Sequence, residues 1–397
     1  MRVVVVGATG NVGTSTVQAL AADPAITSIR GLARRRPALK IDKTEWAVAD
    51  VCGTDLVPHF RGADAVVHLA WLFQPTHSPM ITWRANALGS LRVFEAVAEA
   101  GVPALVYSSS VGTYSPGPKD LPGPNDPPGS RDPRGDENRG GENRGGENRG
   151  EESRGHRNGG HQNGGQRNGV DESWPTHGWP AASYGREKPY VERLLDIFEA
   201  EHPERRVVRL RPGFIFKREA AAEQRRLFAG PFVPGRLARP GLIPVVPDIP
   251  GLRFQALHAS DAGQAFRLAV IDDDARGPYN IAADPVIGAD ELAELMGARK
   301  LPLPARGARA ALRAAWTMGL VPASPDLLDL ALNVPIMDTS RARSELGWMP
   351  EHTSMYALRE FLAGLRSGAG MDTPPLAPGT GGPFRLRELV TGVGRRP

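Results

Sequence analysis

Three glycines near the N-terminus constrain this chain more than any other feature. Arg2 to Val6 is a short β-branched run that reads as a buried strand. It passes directly into Gly7-Ala-Thr-Gly10-Asn-Val-Gly13 and then into an alanine- and valine-rich helical stretch. Strand, tight turn and helix in that order suit an anionic ligand. Gly7 allows the turn, Gly10 lets the backbone approach a pyrophosphate, and Gly13 permits close packing of helix on strand. The helix N-terminus then faces the phosphates. The spacing is Gly-x-x-Gly-x-x-Gly and not the commoner Gly-x-Gly-x-x-Gly, so the generic dinucleotide fingerprint fits only approximately, and a glycine-rich turn without ligand is the alternative.

Downstream, strand and helix signals alternate in the way that builds a parallel sheet with helices on both faces. Strands are expected at Ser28 to Ala33, Glu45 to Ala49, Ala65 to Leu69, Ala104 to Ser109 and Arg206 to Leu210. One long helix is expected from about Met80 to Ala100, ended by Gly101. After Arg211-Pro212-Gly213 the rhythm changes, and prolines between Gly230 and Pro250 suggest a smaller second region. The expected fold class is therefore α/β. Residues 1–211 would form a doubly wound parallel sheet, a Rossmann domain. Residues 212–366 would form a smaller C-terminal substrate-binding region of mixed α/β structure, partly interleaved with the sheet, and 367–397 a flexible basic tail.

Composition is permissive for this reading and excludes several others. At 397 residues and 41% hydrophobic content the chain can bury a sizeable core. Its 48 basic and 44 acidic residues leave a formal charge of +4, too small for this length to imply a nucleic-acid partner. The single cysteine, Cys52, excludes an intrachain disulfide framework and fits a reducing compartment. No run approaches ~18 consecutive apolar residues, and Met1 leads straight into a strand, so neither a membrane span nor a signal peptide is expected and the cytoplasm is the expected location. No histidine, cysteine and carboxylate cluster has metal-ligand spacing, and no metal is expected.

From Arg134 to Gly169 the sequence cycles about every five residues through Arg-Gly-Gly-Glu-Asn and decayed versions of it, without an aliphatic side chain. Such a segment cannot bury enough apolar surface to offset its ordering entropy, so a disordered low-complexity insertion is expected over 116–170. Its arginines invite an RNA-binding reading, but acidic residues interleave with them and no aromatic is present for base stacking.

Candidate chemistry begins with Tyr184 and Lys188, which lie one above the other on one face of a helix. A nearby ammonium favours the phenolate and would bring tyrosine from near pH ~10 toward a working range. The spacing alone also fits an exposed aromatic beside a solvated lysine. Its company decides between the two. Gly7-x-x-Gly10-x-x-Gly13, Ala49-Asp50-Val51, Val67-His68-Leu69-Ala70, Asn86-Ala-Leu-Gly89, Ser108-Ser109-Ser110, Tyr184-x-x-x-Lys188, Arg211-Pro212-Gly213 and Leu346-Gly347-Trp348-x-Pro350 occur in that order. The ordered set resembles the extended short-chain dehydrogenase/reductases, the NAD-dependent epimerase/dehydratase family. The resemblance covers about residues 1 to 366 apart from the insertion.

The resemblance implies an enzyme that moves hydride between a dinucleotide and a hydroxyl or carbonyl of a small substrate, a nucleotide sugar among the candidates, with a homodimer as the expected assembly. It implies that Gly7, Thr9, Gly10, Asn11, Val12 and Gly13 hold the cofactor pyrophosphate. Asp50 and Val51 would flank the adenine, and Leu69 and Ala70 would line the path to the nicotinamide. Pro212 and Gly213 would shape the wall around the carboxamide. Ser110 would hydrogen-bond the reacting oxygen, Tyr184 would exchange its proton, and Lys188 would bind the nicotinamide ribose and depress the tyrosine pKa. Asn86 would complete the catalytic tetrad. A non-catalytic dinucleotide sensor is the rival reading, and retention of all four catalytic positions argues against it.

Three features depart from the family pattern. The insertion separates Ser110 from Tyr184, which loop-closure entropy tolerates because it grows slowly with length. Pro189 follows Lys188, where it would remove a helix N–H, so the start of this helix is open. Val111 and Gly112 replace the acidic pair of the family's dehydratases, which disfavours dehydration. Cofactor choice falls at the end of the second strand, where Gly31-Leu32-Ala33-Arg34-Arg35-Arg36 offers no carboxylate. Arginine there accommodates a 2′-phosphate, so Arg34 and Arg35 are assigned to the cofactor and NADP is expected over NAD, with a solvated basic loop as the alternative. His68 is expected to pack in the core. Trp71, Phe73, Trp83, Trp174 and Trp179 are candidates equally for a substrate pocket or for core.

Overall fold

The computed structural model describes residues 1–74, 77–117, 169–229 and 243–378. The expected insertion falls, except for its two ends, outside the described residues. The strands in chain order are β1 (Arg2–Val6), β2 (Ser28–Ala33), β3 (Thr44–Val48), β4 (Ala65–His68), β5 (Ala104–Ser108), β6 (Arg206–Pro212), β7 (Phe214–Phe216), β8 (Val245–Asp248), β9 (Ala256–His258), β10 (Gly277–Ile281) and β11 (Arg299–Pro302). The helices of the first half are α1 (Asn11–Ala22), α2 (Val57–Phe60), α3 (Pro79–Trp83), α4 (Gly89–Glu99) and α5 (Ser183–Glu201). Those of the second half are α6 (Ala221–Gln224), α7 (Ala259–Ile271), α8 (Ala289–Met296), α9 (Ala305–Thr317), α10 (Pro325–Asn333), α11 (Ser340–Glu345) and α12 (Ser354–Ser367).

A seven-stranded, wholly parallel sheet runs in the order β10-β6-β5-β4-β1-β2-β3. The chain builds outward from β1 to β3, then returns to the other side of β1 for β4, β5 and β6. The strand order therefore reverses between β1 and β4, where the carboxyl ends of a doubly wound sheet leave a crevice for ligands. A parallel sheet of this kind is covered on both faces, which is why the central strands β1 and β4 are buried along nearly their whole length and not at alternate positions. In β1 the pleat sends Val3 and Val5 into the core beside α1 and α7, while Val4 and Val6 enter the core beside α4 and α5. All four are buried. Each such side chain contributes roughly 1.5 to 3 kcal/mol of burial.

Two local departures from sequence expectation have identifiable causes. The helix expected over Met80 to Ala100 is interrupted between α3 and α4 by a π-helical turn at Arg84–Leu88. Asn86, inside that turn, is buried and hydrogen-bonds the backbone of Leu72 in both directions, at 2.7 and 2.8 Å. The second departure concerns Pro189, which lies well inside α5. Its missing N–H would leave the Gly185 carbonyl unpaired, but Trp179 N donates to that oxygen at 3.0 Å. Gly178 makes the approach possible: its φ is +63°, and a Cβ there would lie 1.9 Å from the same oxygen. The loop before α5 thus takes over the hydrogen bond that the proline gives up.

The smaller region carries two parallel strand pairs, β8–β11 and β7–β9, with α8 to α10. Both ends of the insertion meet one stretch of it. A Cβ on Gly117 would lie 2.7 Å from Pro335 Cβ, and one on Gly169 would lie 2.6 Å from Met337 C. The tail expected from 367 onward is corrected in part, because residues 369–378 pack as a strap across the cofactor end of the sheet. Thr373 Oγ1 donates to Thr9 O at 3.0 Å, Ala38 N and Leu39 N both donate to Asp372 O at 3.1 Å, and Leu376 is fully buried. Among the described residues no helix is long and apolar enough to cross a membrane.

Candidate active site

The glycine turn sits at the switch point and is fixed by the sheet beneath it. Gly7 N and Ala8 N both donate to Leu32 O, at 2.9 and 3.2 Å. A Cβ on Gly13 would fall 2.3 Å from Gly7 O, which no side chain can occupy, whereas one on Gly10 would meet nothing closer than 3.8 Å. Gly10 therefore leaves its backbone open to a ligand and Gly13 closes helix onto turn. Above the turn lies a cavity of about 650 Å³. Gly7, Gly10, Asn11, Val12, Gly13, Arg34, Arg35, Leu69, Pro212 and Gly213 line it, as do Ser110, Tyr184 and Lys188. Thr9, Asp50, Val51, Ala70 and Asn86 do not. Asn11 Oδ1, Trp71 Nε1 and Gln224 Oε1 are buried without a hydrogen-bond partner, and all three residues line the same cavity. Unpaired buried polar atoms around a glycine cradle fit a bound dinucleotide.

Ser110 closes β5 and accepts a hydrogen bond from Gly112 N at 3.0 Å, which aims its hydroxyl. Burial pushes the Tyr184 phenol up to about 12, opposed by its hydrogen bond with Ser110. Phe73 stacks on the tyrosine ring at 5.0 Å and Trp71 meets it edge-on at 5.7 Å, and these two rings supply much of the desolvation. The expected lowering of the phenol by Lys188 is therefore absent from this geometry. Lys188 Nζ instead donates to Ser108 O at 2.6 Å and lies 3.6 Å over the Trp71 ring. Burial holds that ammonium well below its ordinary range, with Glu192 and Glu187 opposing the shift.

Behind this front lie two buried carboxylates that the sequence reading missed. Glu187 accepts from Thr82 Oγ1 and Asn86 Nδ2, both at 2.7 Å, and so ties α5 to the π-helical turn. Burial raises its carboxyl, with the two hydrogen bonds opposing. Glu192 accepts from Ser109 Oγ at 2.5 Å and from Arg211 Nε and Nη2 at 2.9 and 2.7 Å. Burial would raise this carboxyl too, but Arg211 outweighs it and holds it below the usual range. Only the first had a neighbour to draw attention to it, since Glu187 directly precedes the assigned lysine.

Other assignments resolve by position. His68 is buried, shares a hydrogen bond of 2.9 Å with Ser90 Oγ, and is held neutral at about 3 by burial and then by Lys188, as a core histidine should be. Of the candidate aromatics, Trp71 and Phe73 line the cavity, Trp174 and Trp179 pack in the apolar cluster beside Tyr184, and Trp83 pairs with Tyr190 at 4.6 Å. Asp261, Glu351 and His352 bring ligand-type atoms within 4.8 Å of one another, but none of them lines the cavity.

A Rossmann sheet brings a glycine cradle and Ser110, Tyr184 and Lys188 to one cavity, an arrangement that a dinucleotide would fit. Residues 3–133 match the NAD dependent epimerase/dehydratase family. A curated relative, L-arabinose 1-dehydrogenase (NAD(P)(+)) of Haloferax volcanii, is 37% identical over 110 residues, covering 28% of this chain and 41% of that protein. Solved structures are similar over far more of the chain at lower identity. MoeE5 in complex with UDP-glucuronic acid and NAD is 18% identical with a TM-score of 0.59, covering 92% of this chain and 99% of that one. UDP-glucose-4-epimerase (galE) from Stenotrophomonas maltophila, with bound NAD and formylated UDP-arabinopyranose, is 18% identical with a TM-score of 0.59, covering 92% and 98%.

These structures correct the expected cofactor. Both hold NAD, as do others of the same fold, and the expectation of NADP drawn from Arg34 and Arg35 does not stand. The physical reason is exposure: both arginines lie beyond the end of β2 on the surface, where a hydrated guanidinium tolerates a phosphate without requiring one.

Proposed function

We propose that this protein is an NAD-dependent oxidoreductase or epimerase that acts on a hydroxyl or carbonyl of a small substrate. One observation carries the reading: Ser110, Tyr184 and Lys188 line the same cavity as the glycine cradle. When bound, NAD would supply the two-electron exchange, as acceptor of a hydride from a carbinol carbon or, reduced, as donor of one to a carbonyl carbon. The backbone at Gly10 to Gly13 and the N-terminus of α1 would hold its pyrophosphate, Lys188 the nicotinamide ribose, and Pro212 and Gly213 the carboxamide end. Asp50 and Val51, at the end of β3, would bound the adenine.

The proton chemistry belongs to the chain. The Ser110 hydroxyl, aimed by Gly112 N, holds the substrate oxygen beside the phenol. With its pKa near 12, Tyr184 carries its proton at neutral pH and is set to give it to an oxygen gaining charge, the direction of carbonyl reduction. Oxidation needs the phenolate, which the Lys188 ammonium would stabilise on moving toward it from the Ser108 carbonyl. Asn86 does not touch the reacting groups. It positions Leu72 and, through Glu187, the first turns of α5.

The test is a panel of alcohols, ketones, aldehydes and nucleotide sugars, followed by the absorbance of reduced nicotinamide, with mass spectrometry of any dinucleotide that copurifies. Tyr184→Phe should lose turnover and keep NAD affinity within about twofold, since it removes only the exchangeable proton. Equal turnover in wild type and Tyr184→Phe would overturn the reading.

A further inference from the structure

The proposed hydride chemistry leaves the identity of the substrate open, and the opposite wall of the cavity bears on it. Phe73 and Phe228 meet edge to face at 5.7 Å, with Phe73 stacked on Tyr184. Phe214, Leu327 and Val334 line the same space and pack with Tyr184 in one apolar cluster. The two glutamine amides on this wall donate within the protein, although Gln224 Oε1 has no partner. Gln74 Nε2 donates to Leu227 O at 2.7 Å and to Pro322 O at 3.3 Å, and Gln224 Nε2 donates to Ile215 O at 2.7 Å.

Charge points the same way. A nucleotide sugar carries a diphosphate, which a binding site must meet with cations or a cluster of N–H donors. Among the described residues lining the cavity, the cations are Arg34 and Arg35 at the end of β2, Lys188 in the catalytic group, and Arg226. Arg226 acts on Glu223, which lines the same cavity, so part of its charge is already met within the protein. Space is the third constraint. A single ligand site commonly measures ~300 to 1,000 Å³, and this cavity of about 650 Å³ serves the dinucleotide and the substrate together. Sharing that volume favours a compact substrate.

We propose that the substrate is a compact alcohol or carbonyl compound with an apolar body and no phosphate, seated between Tyr184 and the wall of Phe73, Phe214, Phe228 and Leu327. This inference rests on the hydride-transfer reading of the same site, so its test separates binding from turnover. NAD-loaded full-length protein is titrated by calorimetry with cyclohexanol, 1-phenylethanol and acetophenone, and separately with UDP-glucose and UDP-galactose. At least one apolar probe should bind about tenfold or more tightly than either UDP-hexose. Phe228→Ala should weaken that probe about tenfold while leaving NAD affinity unchanged. Phe228 is 41% exposed, so its truncation leaves the core intact, and Leu327→Ala gives a second variant from the buried side of the wall. Tighter binding of a UDP-hexose, or no binding of any apolar probe, would overturn the proposal. Turnover of the bound probe reports separately on the hydride reading: a probe that binds as expected and is never oxidised or reduced supports the apolar site and counts against the chemistry.

Discussion

Helices α1 and α9 both border the cavity and are almost equal in length, at twelve and thirteen residues, yet seven residues of α1 are buried and none of α9. Helix α1 is held between the sheet and α7, and its first turn carries the glycine cradle. Helix α9 is tied to α10 by Arg309, which pairs with Asp329 at 2.7 Å and Asp326 at 3.2 Å on the surface. The difference assigns the two sides of the site different tolerances. The floor, which carries the glycine cradle and the proposed proton-transfer groups, is part of the protein's core, so changing it disturbs the fold. The roof, which would meet the proposed substrate, rests on contacts worth little to stability, so changing it should alter selectivity at small cost.

The comparison breaks most visibly at Arg211. Arg211→Met removes two of the three hydrogen-bond donors to the buried Glu192 and leaves it Ser109 Oγ, with Arg193 4.0 Å away, and the expected loss is about 3 to 5 kcal/mol, read by denaturant unfolding. A loss under ~1 kcal/mol would show that water reaches Glu192 and that the floor is softer than its packing implies. Next in size is Gly13→Ala, where the added Cβ meets Gly7 O. Overpacking there should cost about 1 to 3 kcal/mol, and NAD binding should vanish by calorimetry even in protein that remains folded. Retained NAD affinity would dissociate the cradle from cofactor binding.

Glu223 stands at the boundary between floor and roof and gives a pH signature. Burial raises its carboxyl to about 7, with Arg226 and Lys217 opposing, so it is neutral below that pH and charged above it. A bound pyrophosphate favours the neutral acid, so binding takes up a proton and weakens as pH rises. The Kd for NAD should increase severalfold between about pH 6 and about pH 8, and Glu223→Gln should flatten the profile. An unchanged slope in the variant would move the titration to another group.

On the roof, Arg309→Ala removes exposed ion pairs and should cost less than about 1 kcal/mol, while KM for the substrate shifts and the NAD Kd does not. A fall in stability matching that of Arg211→Met would erase the distinction between the two sides. The smallest effect is expected from deleting residues 118–168. Gly117 and Gly169 both contact residues 335–338, so a short linker can join them, and Tm and NAD affinity should stay within measurement error.

The same divide separates what was legible in the sequence from what was not. β1, the glycine turn and the alternation of strands were readable because buried parallel strands and glycine-only positions leave local marks, and β2, β4 and β5 fall within a residue of their expected bounds. Tyr184, Lys188 and Ser110 were found by spacing and resemblance, and they do share the cavity. Asn86 was placed by resemblance alone and is tied to Leu72 and Glu187. Phe214, Phe228 and Leu327 carried no signal, since an apolar residue reads as core whether it faces another side chain or a substrate. The Glu192–Arg211 pair was hidden for the opposite reason: charged residues read as surface, and nothing local announces a partner 19 positions away. Arg34 and Arg35 misled because a basic loop beside a strand end looks alike whether or not it has a phosphate to bind.

The strap across the glycine turn carries a consequence for how the protein is made. Thr373 reaches Thr9 across 364 positions of sequence, and Asp372 fastens the segment to Ala38 and Leu39. Local contacts such as β1 with α1 form early in synthesis, whereas a contact of that separation waits for the intervening chain to leave the ribosome. The nascent chain therefore carries an uncovered cradle while those residues are made. A dinucleotide captured in that interval would be enclosed when the strap docks, which would make ligand loading a step in folding as much as an equilibrium of the folded protein.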